Sequence, residues 1–212
     1  MKPYIKINFA CSLDGRISSR DGRQFKFSNL EDLRRVHKMR SESDVIIVGR
    51  NTVNMDDPKL VVNSKYYSSS SIPDVAVLDS GLGVNRNARI FSYQRKIIIF
   101  CGRDAEVKEF SENLNSEIII KKSPDPSPST GFIIKELEEM GYRSIMIEGG
   151  RSVLTSFISD GYWDEISIFY SPYMIGEYGV PMVGVISEPL KFNSINAEKL
   201  GNGFLVTIKK GF

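Results

Sequence analysis

The chain has 212 residues, with 28 Lys and Arg against 26 Asp and Glu, one His, two Cys and 41% hydrophobic residues. At roughly 100–200 residues per domain this length suits one large domain, whose core needs no disulfide or metal staple. A net charge of +2 argues against nucleic-acid or membrane-surface binding by bulk field, and two lone Cys with a single His make neither a secreted disulfide framework nor a common zinc site.

In chain order, the run ending at Cys11 reads as an apolar strand with Cys11 a small core residue, closed by a turn at Asp14-Gly15. Its start, Met1 to Lys6, mixes polar residues into a short apolar run and lacks a signal-peptide pattern. No apolar run reaches the roughly 18 residues of a membrane span, so a cytoplasmic protein is expected. Ser28 and Glu31 form a capping box before a helix over residues 29–41, where Leu30, Leu33, Val36 and Met39 recur at helical spacing. His37, near that stripe, reads as a satisfied, partly buried side chain.

Five short apolar runs follow: Val45–Val48, Val75–Leu78, Ile97–Phe100, Ile118–Ile120 and Ile145–Ile147. Continuous rather than alternating runs predict strands buried on both faces and largely parallel. Helices are expected over 130–140, stopped at Gly141, and over 151–160, stopped at Gly161. The stretches 64–73 and 123–129 are surface loops by composition. Trp163 reads as a packing anchor. Strands are then expected at 166–170, 189–197 and 204–208, with no helix between them. The pattern predicts one mixed α/β sheet, mostly parallel and flanked by helices, with an antiparallel C-terminal edge.

In open α/β sheets ligands bind beyond the carboxyl ends of the strands. Those ends carry Gly49-Arg50-Asn51-Thr52, Asp79-Ser80-Gly81, Cys101-Gly102-Arg103 and Glu148-Gly149-Gly150-Arg151-Ser152. Any one glycine there reads equally as a turn residue. Four such termini together favour a phosphate-bearing, nucleotide-type ligand, through close backbone approach, donors and helix N-termini. Neither a Walker A nor a G-x-G-x-x-G sequence occurs. Asp56-Asp57-Pro58 reads as a turn on local chemistry alone.

Pro3-Tyr4-Ile5 followed by Ala10-Cys11-Ser12-Leu13-Asp14-Gly15-Arg16-Ile17 resembles the opening of the riboflavin-biosynthesis reductases. The similarity continues, in order, through Arg40 to Asp44, Gly49 to Val53, Asp56 to Leu60, Leu78-Asp79-Ser80, Ile147 to Gly150, Gly161 to Glu165 and Ser171-Pro172. The chain is thus similar to the stand-alone 2,5-diamino-6-ribosylaminopyrimidinone 5′-phosphate reductases and to the reductase half of the bifunctional deaminase-reductases. The deaminase signature, H-x-E with P-C-x-x-C, is absent from the sequence. The resemblance implies a dihydrofolate-reductase-like fold in a single domain over residues 1–212, NADPH as hydride donor and a homodimer. It implies reduction of a phosphoribosylamino-pyrimidine to its ribitylamino product, with no nucleic-acid or membrane partner.

Residue by residue, the resemblance places Thr52, Asp56, Asp79, Ser80 and the loop Gly149, Gly150, Arg151, Ser152 at the cofactor. It places Arg40, Leu60 and Glu148 at the substrate, with Gln24 or Lys26 supplying a further polar contact. Asn63 stands where the family often has Arg or His, and Lys59 where Arg is common, so the substrate phosphate falls to Arg40, Lys59 or Lys26. A guanidinium forks onto phosphate, which favours Arg50, then Arg103, for the 2′-phosphate of NADPH. Glu148 is expected to hydrogen-bond the pyrimidine or assist proton transfer; its plainer role is a carboxylate at a helix terminus. Two alternatives stand beside this reading. One is dihydrofolate reductase itself, with Asp32 near its pterin-binding acid, and the other is a nucleotide-binding relative without catalysis.

Overall fold

The computed structural model describes residues 1–19, 25–107 and 114–211. Its strands are β1 (Tyr4–Cys11), β2 (Arg16–Ser18), β3 (Val45–Gly49), β4 (Asp74–Leu78), β5 (Lys96–Cys101), β6 (Glu117–Lys122), β7 (Ser144–Gly149), β8 (Glu165–Tyr170), β9 (Val180–Pro181), β10 (Ser194–Leu200) and β11 (Gly203–Lys209). Its helices are α1 (Leu30–Ser41), α2 (Arg50–Asp56), α3 (Thr130–Glu139) and α4 (Arg151–Ser159). Nine strands form one sheet in the order β10-β11-β8-β1-β7-β3-β4-β5-β6, and β2 pairs with β9 beside it. From β8 to β6 all neighbours are parallel. The antiparallel edge is β8-β11-β10, so the mostly parallel sheet expected from the apolar runs is present.

Alternate residues of a strand face opposite sides of the sheet. In β3, Val45 and Ile47 pack with Ile133 and Leu137 of α3 and with Leu154 and Phe157 of α4. Ile46 and Val48 pack instead with Met39 of α1 and Val53 of α2. Helices on both faces are why these strands carry no polar alternation. Burial of each such aliphatic side chain stabilises the fold by ~1.5–3 kcal/mol.

Several boundaries depart from expectation. Asn29, not Ser28, caps α1, accepting from Asp32 N at 2.9 Å. Ser28 Oγ is drawn away to the Asp32 carboxylate at 2.5 Å, so Asp32 rather than Glu31 stands at the third helical position. The strand expected at 189–197 is β10, Ser194–Leu200, whose register is set by antiparallel pairing from Ser194 opposite Lys209 to Leu200 opposite Gly203. The run Ile118–Ile120 lies in β6 at the sheet edge and is only partly buried. A helix not expected from the sequence, α2, begins at Arg50 directly after β3. Of the four strand ends, β3 and β7 run straight into helices, whereas β4 and β5 run into turns.

The turn at Asp14-Gly15 closes β1 as expected, with Gly15 at φ +72°. The Asp14 carboxylate accepts from Ser12 Oγ at 2.5 Å, Ile175 N at 3.1 Å and Gly176 N at 2.7 Å. The Ser12 bond first, then these amides, hold its carboxyl down at about 2. A depressed carboxyl contributes stability that is complete above its unfolded value of ~3.9 and fades as pH falls toward the folded one. Asp14→Asn should therefore be less stable than wild type at neutral pH, with the deficit shrinking in acid. Urea titrations at successively lower pH check this, and a deficit independent of pH would show that the charge does not hold the turn.

Candidate active site

Strand β7 sits between β1 and β3 although it follows both in sequence. Connections therefore leave this point of the sheet in both directions, which opens a crevice at the carboxyl ends of the strands. A cavity of about 1010 Å³ lies there, lined by Asn8 and Ala10 of β1, Val48 and Gly49 of β3, Leu78 and Asp79 around the end of β4, and Glu148 of β7. Single-ligand pockets run ~300–1,000 Å³, so this one has room for two small ligands side by side.

Glu148 stands at an irregularity. Ile47 pairs with Ile147 but Val48 pairs with Gly149, leaving Glu148 as the extra residue of a bulge. Bulges of this kind re-aim a side chain near a site. Arg40, from the last turn of α1, meets it: Nε donates to Oε1 at 2.6 Å and Nη2 to Oε2 at 2.7 Å. Nη1 of the same guanidinium donates to Val61 O at 3.3 Å. Burial works against the Arg40 charge, but the charge and hydrogen bonds of Glu148 more than offset it, so Arg40 holds its proton more tightly than usual. This planar, two-bond pairing is the strong form of a carboxylate–arginine contact.

Immediately after Glu148, Gly149 and Gly150 both have positive φ, +85° and +86°. A Cβ on Gly150 would lie 2.8 Å from Thr52 Oγ1, and Thr52 Oγ1 itself donates to Gly149 O at 3.2 Å. Gly150 caps α4 without a side-chain bond, so the first amides of that helix lack intrahelical partners where Gly150, Arg151 and Ser152 line the wall. Arg50, Thr52 and Asp56 of α2 line it opposite. Backbone cradle, helix start and two guanidinium groups together fit the phosphates of a dinucleotide. Asp79 is largely used within its own turn, since Oδ2 accepts from Val84 N at 2.7 Å while Oδ1 lies 3.5 Å from Arg50 Nη1. Ser80 Oγ lies 2.9 Å from Ser127 Oγ.

Of the residues picked out by sequence, Arg40, Arg50, Thr52, Asp56, Leu60, Asp79, Ser80, Glu148, Gly150, Arg151 and Ser152 line this cavity. Gly149 lies just behind it, its carbonyl on Thr52. Gln24 lies outside the described residues. The cavity does not receive Lys26, Lys59, Asn63 or Arg103. Phe27, 5% exposed, takes the inward position beside Lys26. Leu60, at φ +50°, turns its side chain inward and leaves Lys59 exposed. Asn63 is exposed and donates its N–H to His37 Nδ1 at 3.0 Å. Arg103 is shut out because Pro126 O packs against Gly102, where a Cβ would come within 2.0 Å of it. The loop carrying Ser127 and Pro128 fills that strand end instead.

A polar cluster that sequence reasoning left unassembled backs another wall, to which Asn8 and Asp32 contribute. Arg35 Nη2 donates to Asn8 Oδ1 at 2.6 Å and to Asp32 Oδ1 at 2.7 Å, and its Nε donates to the same Asp32 oxygen at 2.9 Å. Asn8, between Ile7 and Phe9 in a strand core, was the one available signal. His37 is buried as expected and stacks on Tyr66, with ring centroids 5.0 Å apart. Burial first and Arg40 second push its pKa down, in keeping with an acceptor Nδ1. Burial pushes the Cys11 thiol up to about 12, so it is no nucleophile.

The RibD C-terminal domain family matches residues 3–206. A 2,5-diamino-6-ribosylamino-4(3H)-pyrimidinone 5′-phosphate reductase from Archaeoglobus fulgidus is 34% identical, over 99% of each chain. Among solved structures, a diaminohydroxyphosphoribosylaminopyrimidine deaminase/5-amino-6-(5-phosphoribosylamino)uracil reductase from Thermotoga maritima superposes with a TM-score of 0.79 at 25% identity, covering 98% of this chain and 56% of that one. A dihydrofolate reductase from Enterococcus faecalis shares the fold at a TM-score of 0.53 and 12% identity, over 97% of this chain and 95% of that one.

Proposed function

The chain belongs to the RibD C-terminal domain family, and on that premise we propose that it is the reductase of riboflavin biosynthesis that converts 2,5-diamino-6-ribosylamino-4(3H)-pyrimidinone 5′-phosphate, or its deaminated uracil analogue, to the ribitylamino product. The observation that carries this reading is one cavity in which the Gly149-Gly150 cradle stands next to the Arg40–Glu148 pair. The cradle suits a dinucleotide, and its glycines leave the space that a Cβ would fill. When bound, NADPH supplies the hydride that reduces C1′ of the open-chain imine form of the substrate.

The protein's own work is positioning and exclusion of water. Glu148, with one lone pair of each oxygen taken by Arg40, has its others free to accept from pyrimidine N–H groups. That role, orienter rather than proton donor, agrees with its pairing to a guanidinium. Leu60 and Phe27 supply apolar wall against the ring. Arg50, with 42% of its side chain exposed and only long contacts, to Asp79 at 3.5 Å and to Asn51 Oδ1 at 3.4 and 3.5 Å, would turn onto a ribose 2′-phosphate. Arg50→Ala should raise the KM for NADPH by about tenfold while leaving that for NADH nearly unchanged. Steady-state kinetics with both cofactors checks this, and equal effects would remove the role.

Dihydrofolate is a poorer fit. Asp32, the residue nearest a pterin-binding acid in sequence, is fully buried, its Oδ1 accepting twice from Arg35 and its Oδ2 accepting from Ser28 Oγ. A cytoplasmic, single-domain homodimer completes the proposal. No helix of the described residues is long and apolar enough to cross a membrane. The outer strand β10 is an unpaired edge with Ile195 59% exposed, a place for a second copy to pair. The deciding assay follows loss of reduced-nicotinamide absorbance with the ribosylamine phosphate, its deaminated analogue and dihydrofolate. Turnover of either ribosylamine with dihydrofolate inert supports the reading. Activity on dihydrofolate alone overturns it, and cofactor binding without turnover on all three points to a non-catalytic relative.

A further inference from the structure

The segment from Asp57 to Asn63 has no regular structure, yet it forms cavity wall through Pro58 and Leu60. Two of its non-glycine residues, Asp57 and Leu60, have positive φ, +42° and +50°. Such conformations are strained for residues that carry a Cβ and persist only where the surroundings over-determine them. The surroundings here are guanidinium groups. Arg89 Nε donates to Asp57 O at 2.8 Å. Arg95 Nη2 donates to Lys59 O at 2.7 Å, Arg95 Nη1 to Leu60 O at 2.8 Å, and Arg40 Nη1 to Val61 O at 3.3 Å.

Arg95 is the unusual member. It is 7% exposed, and its remaining donors reach Pro73 O at 3.2 Å and Ile90 O at 3.0 and 3.3 Å. All five of its N–H groups are thus used, on main-chain carbonyls of three separate segments. A buried cation placed on neutral acceptors is costly, and burial indeed pulls its pKa down to about 10. Packing of the segment alone could be served by an apolar side chain. What a guanidinium adds is a rigid fork that fixes the Lys59 and Leu60 carbonyls on either side of the strained residue.

We propose that Arg95 is the positioning residue of the substrate end of the cavity: its fork holds Leu60 inward and sets the Val61 carbonyl that steadies Arg40, and through Arg40 the Glu148 carboxylate. It acts at second hand, since Arg95 itself does not line the cavity. The proposal rests on the reductase reading for its kinetic consequence but not for its structural one.

The test uses the full chain with Arg95→Met, which keeps bulk and removes the donors, and Arg95→Lys, which offers a point charge without the fork. In Arg95→Met the KM for the ribosylamine phosphate should rise by about tenfold, while the Kd for NADPH, read by fluorescence titration, stays within about twofold. Arg95→Lys should fall between wild type and Met. Amide hydrogen exchange at residues 61–63 should quicken in both variants, with β3 and β7 unchanged. A purely structural role would lower the melting temperature and weaken both ligands equally, or neither, and that result overturns the proposal. Should Arg95→Met not fold, Arg95→Lys decides by the same split. An inert wild type would overturn the reductase reading alone, because exchange at residues 61–63 still decides whether Arg95 holds the turn.

Discussion

Substituting Arg40 by Met should destabilise the folded chain by about 3–5 kcal/mol, the usual consequence of leaving a buried carboxylate without its partner. The side chains of Arg40 and Glu148 are only 16% and 12% exposed, so solvent from the cavity takes the place of the lost guanidinium only in part. The same change should lower kcat/KM for the ribosylamine phosphate by about 10²-fold, because the carboxylate that orients the pyrimidine loses its register. Cofactor affinity should move less, since the cradle is formed by the backbone of Gly149 and Gly150 and not by the Arg40–Glu148 side chains. Pairing the change with Glu148→Gln separates the two effects. Removing the stranded charge should restore much of the stability, as replacing both members of a buried pair commonly does. It should restore none of the activity. Urea unfolding and steady-state kinetics on the two single variants and the double variant give both readings. Recovery of activity in the double variant would show that Glu148 does not hold the substrate.

That pair also shows how much was legible in the sequence. Glu148 could be found because it ends an apolar run and precedes two glycines, and strand burial is a local pattern that residue type records. Its partner was reached only through family resemblance, since 108 positions separate Arg40 from Glu148. The cluster of Asn8, Asp32 and Arg35 behind the cavity wall escaped for the same reason: a strand and a helix bring it together, and no spacing announces it. Leu60 enters the cavity as the resemblance implied, but Lys59 is left outside, because a left-handed conformation at Leu60 is imposed by Arg95 from a distant segment rather than by leucine's own preference. Arg103 follows a strand end as a ligand residue should, but the Ser-Pro loop read as plain surface folds over Gly102 and occupies the place. Local chemistry thus identified the sheet, helices α1, α3 and α4 but not α2, and the glycine-rich part of the cavity proposed for the cofactor. The substrate end depends on contacts between segments far apart in the chain.

Gly150→Ala should strike that glycine-rich part hardest. Gly150 has φ +86° and ψ 147°, a region essentially reserved for glycine, and holding alanine there costs about 1–3 kcal/mol. The added methyl would also press on Thr52 Oγ1 at 2.8 Å. The loop can relieve both only by rotating, and rotation withdraws the first amides of α4 from the cavity. The Kd for NADPH should therefore rise by about 10- to 100-fold, the size expected when a few charge-assisted hydrogen bonds to phosphate are lost. The substrate's contacts with Arg40 and Glu148 should survive, so the KM for the ribosylamine phosphate at saturating cofactor should change little. Thr52→Ala in the same chain removes the steric conflict but not the backbone strain. The double variant should therefore regain only part of the affinity. Full recovery would mean the glycine serves mainly to clear Thr52, and no recovery would mean the backbone conformation alone makes the phosphate seat.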